Sequence, residues 1–254
     1  MAGGLPFYVV IPARFASTRF PGKVLVNIHG KPMIQHVYER AVASGAKAVW
    51  VATDDARVEE AAAAFGAQVC MTSPEHQSGS DRLAETAEKL GWADDEIVIN
   101  VQGDEPLLPP ANIAQVAENI ARYSVNMATL YTRIESDSDV ANTNLVKVVT
   151  DRNGYALYFS RSVIPHRRDS ESDVPVYYRH IGIYGFRVGY LKRFSVLEQA
   201  PLERIEKLEQ LRALWHGERI HVAQARQEPG PGVDTREDLE KLLRNYTAKA
   251  LENY

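Results

Sequence analysis

The first hundred residues alternate between two periodicities, and that alternation restricts the fold more than any other feature of the chain. "FYVVI" at 7–11 is an unbroken apolar run of strand length. "PMIQHVYERAVASG" follows, with Met33, Ile34, Val37, Ala41 and Val42 forming a helical face. Pro32 suits its first turn and Gly45 its stop. "AVWVAT" at 48–53 is the next strand, and "DARVEEAAAAFG" the next helix. "AQVCM", the helical "RLAETAEKLG" and the strand "EIVINVQ" complete the series. Such a rhythm predicts an α/β fold, a mostly parallel sheet with helices on both faces. Ligands of these sheets bind beyond the carboxyl ends of the strands. The loops to inspect are therefore 12–23, 53–55, 72–82 and 102–109.

After about residue 124 the pattern changes. "VNMATLYTRI", "LVKVVT", "YALYFS" and "HIGIYGFR" are strand-like, with the turn "DRNG" between the second and third. They predict a smaller mixed or antiparallel lobe, inserted roughly within 125–200. Helices return in "TREDLEKLLRNYTAKALE" and in "PLERIEKLEQLRALWHG", the latter with Ile205, Leu208 and Leu211 as its core stripe. No repeat or clean linker divides the 254 residues, so a single domain over 1–254 is expected.

The net charge of -4 gives no global field to attract nucleic acid or an anionic membrane. No apolar run is long enough to span a bilayer. The lone cysteine, Cys70, excludes an internal disulfide and is expected as a small buried residue of a protein in a reducing compartment. "MAGGLP" has none of the marks of an export signal. A cytoplasmic protein without nucleic-acid partner or membrane insertion is the expectation.

Against this acidic background the loop that leaves the first strand is basic. "PARFASTRFPGK" places Arg14, Arg19 and Lys23 beside a run of backbone N–H groups. Guanidiniums fork onto phosphate oxygens and an ammonium acts as a compact charge, so a nucleoside triphosphate is one ligand such a nest can hold. A solvated basic loop is the other reading. It is neither a GxxxxGK[ST] loop nor a GxGxxG turn.

"IPARFASTRFPGKVL" resembles the signature of the 3-deoxy-manno-octulosonate (Kdo) cytidylyltransferases, also called CMP-Kdo synthetases. The resemblance continues in family order through "VATDD", "HQSGSDRLAE", "VINVQGDEPL", "LVKVV", "YFSR", "YYRHIGIYGFR", "EKLEQLRALWHG" and "GVDTREDL", over nearly the whole chain. One departure is visible: Ser80 stands where the family usually has Thr, and keeps the hydroxyl.

The resemblance implies a Rossmann-like nucleotidyltransferase sheet and a reaction between CTP and Kdo that gives CMP-Kdo and pyrophosphate, with Mg²⁺, for lipopolysaccharide biosynthesis. It also implies a homodimer. By resemblance the nucleotide is held by Ala13, Arg14, Arg19, Lys23, Ser78, Gly79, Arg82, Gln102 and Asp104. The catalytic set is Arg14, Lys23, Asp104 and Asp234, with Asp104 and Asp234 on the metal. The acceptor sugar falls to Gln102, Arg161, His180, Tyr184, Glu209 and Gln210.

Several of these residues have a structural alternative. Asp234 or Ser80 could cap the helix that follows it, Asp104 could cap a turn, and His180 could be structural. Glu209 and Gln210 could lie on a solvated helix face. Among related activities, transfer to sialic acid fits "ASTRFPGK" and "RHIGIYGF" less well, and transfer to 8-amino-Kdo fits equally. A nucleotide sensor without transfer activity would have no need of a second carboxylate on the metal.

Overall fold

A computed structural model describes residues 5–16, 20–168, 176–248 and 251. Arg19 lies outside the described residues. The chain begins with β1 (Tyr8–Pro12), a 3-10 turn (Lys23–Leu25), the hairpin β2 (Asn27–Ile28) and β3 (Lys31–Pro32), and α1 (Met33–Ala43). Then come β4 (Ala48–Thr53), α2 (Ala56–Ala64), β5 (Gln68–Met71), α3 (Gly79–Lys89), β6 (Ile97–Asn100) and α4 (Pro110–Tyr123). The second half runs β7 (Met127–Arg133), α5 (Asp137–Val140), β8 (Lys147–Thr150), β9 (Ala156–Ser160), β10 (Tyr178–Arg187) and α6 (Val188–Ser195). It closes with α7 (Pro201–Glu206), α8 (Gln210–Trp215), β11 (Ile220–Gln224) and α9 (Arg236–Asn245).

The main sheet has the order β11-β7-β10-β6-β1-β4-β5. β6, β1, β4 and β5 are mutually parallel, while β10 runs antiparallel to both of its neighbours. The expected antiparallel section is present. β7 and β10 are also strands of the main sheet, and the β8–β9 hairpin branches from β10 off its path.

Unbroken apolar strands follow from burial on both faces. On β1, Val9 and Ile11 join one core cluster, and Tyr8 and Val10 the other. The first cluster takes Ile34, Val37 and Ala41 of α1, Val58 and Ala62 of α2, and Ile113, Val116 and Ile120 of α4. The second takes Leu83 and Ala87 of α3, Leu191 and Phe194 of α6, and Leu211 of α8. Helices thus cover both faces. Cys70 is buried and free.

Two expected core positions are not in the core. Val42 is 51% exposed, because it lies one residue, or about 100°, off the stripe of Ile34, Val37 and Ala41. Ile205 is 78% exposed, because the expected single helix is two. Lys207 adopts φ 55, ψ 46 between α7 and α8. The break takes α7 out of phase with Leu208 and Leu211, which remain buried.

Candidate active site

β1 and β6 are adjacent and parallel, with Val10 opposite Asn100, so their carboxyl ends open side by side. From these ends the chain presents Arg14 on one side and Gln102 to Glu105 on the other. The loop ahead of α9 folds back onto this place. Val233 N–H donates to the Asp104 carbonyl at 2.9 Å. A side chain at Gly232 would put its Cβ 2.9 Å from Glu105 Oε1, so a larger residue there would have to displace the Glu105 carboxyl.

The result is an ion cluster that draws one residue each from the beginning, the middle and the end of the chain. Lys23 Nζ donates to Asp104 Oδ2 at 2.5 Å and to Asp234 Oδ1 at 3.0 Å. Burial pulls the Lys23 pKa down, but Asp104 and Asp234 outweigh it and the net shift is upward. Asp234 is not the cap of α9. Thr235 holds that position, its side chain accepting from the Asp238 amide in a reciprocal capping box. Beside the cluster, Glu105 is raised to about 8 by burial and by Asp104 and Asp234, against Arg179 and Lys23.

A cavity of about 120 Å³ adjoins these strand ends, lined by Pro12, Arg14, His76, Gln77, Ser78, Gly79, Arg82 and Gln102. Five of the expected nucleotide-site residues therefore share one wall: Arg14, Ser78, Gly79, Arg82 and Gln102. Ser78, rather than Ser80, caps α3, in a capping box with Asp81. Ser80 Oγ instead donates to Glu209 Oε2 at 2.9 Å. The Arg82 guanidinium is committed within the protein: 3.1 Å from Asp54, donating to Thr72 Oγ1 at 2.7 Å and to the Ser73 carbonyl at 3.3 Å. It ties the ends of β4 and β5 to α3 and forms the cavity wall. Ala13 is buried and its amide donates to the Ala52 carbonyl, so that amide belongs to the sheet.

The expected acceptor residues fall into two groups. His180 lines a cavity of about 320 Å³ together with Glu105, Asn144, Arg179, Asp234 and Asp238. The Asn144–Val146 wall of that cavity is pinned by Lys147, which is fully buried and donates to the carbonyls of Asn142, Leu145 and Arg161 at 2.6–2.9 Å. Tyr184 lies 5.2 Å from His180 between ring centroids, and burial and Glu209 push its phenol pKa well up.

Glu209 and Gln210 are not on a solvated face. Burial raises the Glu209 carboxyl against its contacts with Ser78, Arg212 and Ser80. Gln210 Nε2 is buried with no partner among the described residues, a donor positioned for an acceptor oxygen. Arg161, in contrast, is spent on the chain: its guanidinium donates to the Glu206 carbonyl at 2.7 Å and the Thr143 carbonyl at 3.1 Å. The arginine that lines the larger cavity is Arg179.

The arrangement has clear relatives. The cytidylyltransferase family model matches residues 8–220. The 3-deoxy-manno-octulosonate cytidylyltransferase of Vibrio cholerae is 56% identical over 251 residues, 97% of this chain and 100% of the relative. That of Pasteurella multocida is 55% identical over 249 residues, 93% of this chain and 96% of the relative. The chain belongs to the 3-deoxy-manno-octulosonate cytidylyltransferase family. Among solved structures, a CMP:2-keto-3-deoxy-manno-octonic acid synthetase complexed with CTP superposes with a TM-score of 0.87 at 45% identity, covering 95% of this chain and 98% of the other. A cytidylyltransferase from Leptospira borgpetersenii, 16% identical with a TM-score of 0.62, shares the fold. This chain is accordingly a nucleotidyltransferase enzyme.

Sequence reasoning about this cytidylyltransferase missed Glu105, Arg179 and His76. Each is adjacent to an expected site residue or inside a quoted motif: "QGDEP", "RHIGIYGF" and "HQSGSDR". Adjacency was the available signal, but only packing reveals which neighbour faces a cavity.

Proposed function

We propose that this enzyme transfers the cytidylyl group of CTP to the anomeric hydroxyl of Kdo, releasing pyrophosphate and giving CMP-Kdo for lipopolysaccharide biosynthesis. The observation that carries the proposal is the meeting of Asp104 and Asp234 on one lysine amine, next to a wall bearing Arg14, Ser78 and Arg82. The relatives and the CTP-bound neighbour named above support both the nucleotide and the acceptor.

In such transfers the protein mainly positions the reactants and neutralises charge. Arg14, Lys23 and, by resemblance, Arg19 hold the triphosphate, while Ser78, Gly79 and Gln102 orient the nucleoside. His180, Tyr184, Glu209 and Gln210 present hydrogen-bonding groups to a polyhydroxylated acceptor. Arg161 or Arg179 counters its carboxylate, and Arg179, which lines the cavity, is the better placed.

The residues fit Mg²⁺. Two carboxylates already attract one cation, the Lys23 ammonium, between them, and they offer the oxygen ligands magnesium prefers. Among the described residues no group of three His, Cys, Asp or Glu is assembled, so phosphate oxygens and water would complete the shell. Magnesium held by Asp104 and Asp234 would neutralise charge on the reacting phosphate and lower the pKa of a coordinated hydroxyl. Lys23 supplies a second cation for the phosphates.

A cytoplasmic site of action and a homodimer belong to the same reading. No helix among the described residues is long and apolar enough to cross a membrane. Leu157, Val163 and Val176, exposed on and around β9 and just before β10, offer apolar surface for a second copy. The deciding assay measures pyrophosphate release with CTP and Mg²⁺ against Kdo, 8-amino-Kdo and sialic acid. Release with Kdo is expected to exceed that with sialic acid by orders of magnitude, and to vanish in Asp104→Ala. Preference for sialic acid, or a near-normal rate in Asp104→Ala, would overturn the reading.

A further inference from the structure

β10 carries an irregularity that the reaction described above does not use. Ile181 pairs with Leu130 and Tyr184 with Thr129, so three steps along β10 match one step along β7. Bulges of this kind re-aim side chains beside functional sites. Here the bulge is stitched by a single hydroxyl. Buried Thr129 Oγ1 lies 2.6 Å from the Ile183 carbonyl, 3.1 Å from the Ile181 carbonyl and 2.9 Å from His180 Nε2.

That geometry fixes a proton. A hydroxyl has one hydrogen, and carbonyl oxygens only accept. Two oxygens at 2.6 Å without a hydrogen between them would repel, so the Thr129 hydrogen points at the Ile183 carbonyl. Toward His180 the oxygen then has only a lone pair to offer, and Nε2 must carry the hydrogen. Burial lowers the His180 pKa to about 3, so the ring is neutral near pH 7 and Nδ1 bears a bare lone pair. Nδ1 makes no hydrogen bond with any described residue, and the ring forms part of the 320 Å³ cavity wall beside Arg179 and Asp234. Phe159, edge-on at 5.1 Å, and Tyr184 at 5.2 Å hold the ring plane.

We infer that Thr129 is a positioning residue of the acceptor site: its hydroxyl locks His180 as the Nε2–H tautomer, so that Nδ1 accepts a hydrogen bond from a sugar hydroxyl and repels the sugar's carboxylate. The inference rests on reading this cavity as the acceptor site. It divides recognition of an acidic sugar between two neighbours. Arg179 attracts the anion, and His180 admits only a donor. A second tautomer would offer an N–H at the same point and lose that distinction.

The test uses the full-length enzyme labelled with ¹⁵N-histidine, and reads the His180 tautomer by two-bond proton–nitrogen NMR near pH 7. A protonated Nε2 and an unprotonated Nδ1 are expected; a protonated Nδ1 overturns the assignment without any variant. Thr129→Val, which replaces the hydroxyl by a methyl, is expected to redistribute the tautomers. It should raise the KM for Kdo about tenfold, the loss of one net hydrogen bond, with the KM for CTP unmoved. Thr129→Ser should restore both. An unchanged tautomer in Thr129→Val overturns the positioning role. A changed tautomer with an unmoved KM for Kdo removes the cavity from the acceptor site, and the positioning role with it.

Discussion

The Arg212–Glu203 pair gives a prediction whose size follows from its geometry. Arg212 Nε donates to Glu203 Oε2 at 3.0 Å and Nη2 to Oε1 at 2.6 Å, a forked pair whose side chains are each only 6% exposed. Glu209 lies 3.6 Å from the same guanidinium. Arg212→Met keeps the aliphatic volume, leaves the Glu203 carboxylate buried without its cation, and removes the charge beside the partly exposed Glu209. Breaking such a pair from one side costs about 3–5 kcal/mol, because the orphaned charge cannot recover its hydration. For a chain of this size each kcal/mol moves Tm by about 2–4 °C, so a fall of roughly 6–20 °C is expected.

Differential scanning calorimetry near pH 7 measures it directly. Arg212→Lys should fall between wild type and Arg212→Met, since an ammonium keeps the charge but not the fork. Adding Glu203→Leu to Arg212→Met should recover much of the loss, because the buried carboxylate is then gone. A fall below about 3 °C for Arg212→Met, or a double variant no better than the single one, would show that the pair is not the buried fork described here.

Two further outcomes test the core and the acid limb. In Gly185→Ala the new Cβ would lie 2.6–2.7 Å from Ile120, Ile99 and Val116, where α4 crosses β10. Overpacking of this kind should cost about 1–3 kcal/mol, read as a lower midpoint in urea with unchanged slope. Glu85 sits against Lys89, the Ser73 amide and His76, which outweigh burial and bring its carboxyl down to about 2. Its contribution to stability is present above the unfolded carboxyl value and is lost as pH falls through about 2. Glu85→Gln should therefore be less stable than wild type near pH 7, with the gap closing between about pH 4.5 and 2. A gap independent of pH in acid titrations would contradict that origin.

The parallel half of the fold was legible because β1, β4 and β6 are covered on both sides and so read as unbroken apolar runs. α4 escaped notice although Ile113, Val116, Ala117 and Ile120 sit at helical spacing behind Pro110. The α7–α8 break was invisible for a different reason: the residue that takes the left-handed conformation is Lys207, not a glycine. At the site, Asp104 was readable as the residue beyond a buried strand. Asp234 was not readable from spacing alone, since two roles fitted it, and the capping of α9 by Thr235 separates them. The split between Arg161 and Arg179 depends on which guanidinium meets backbone carbonyls. No pattern in a linear chain records that.

The position of β10 has a consequence for synthesis on the ribosome. β6 and β7 are both finished by residue 133, yet neither gains its shared neighbour until residues 178–187 emerge. For about fifty residues of translation the nascent sheet therefore exposes an unpaired strand edge, the kind of template that invites aggregation. Closure then requires a strand to enter between two others, a contact of long sequence separation that slows folding. Nascent chains arrested short of residue 187 should accordingly depend on chaperones more heavily than those arrested well beyond it.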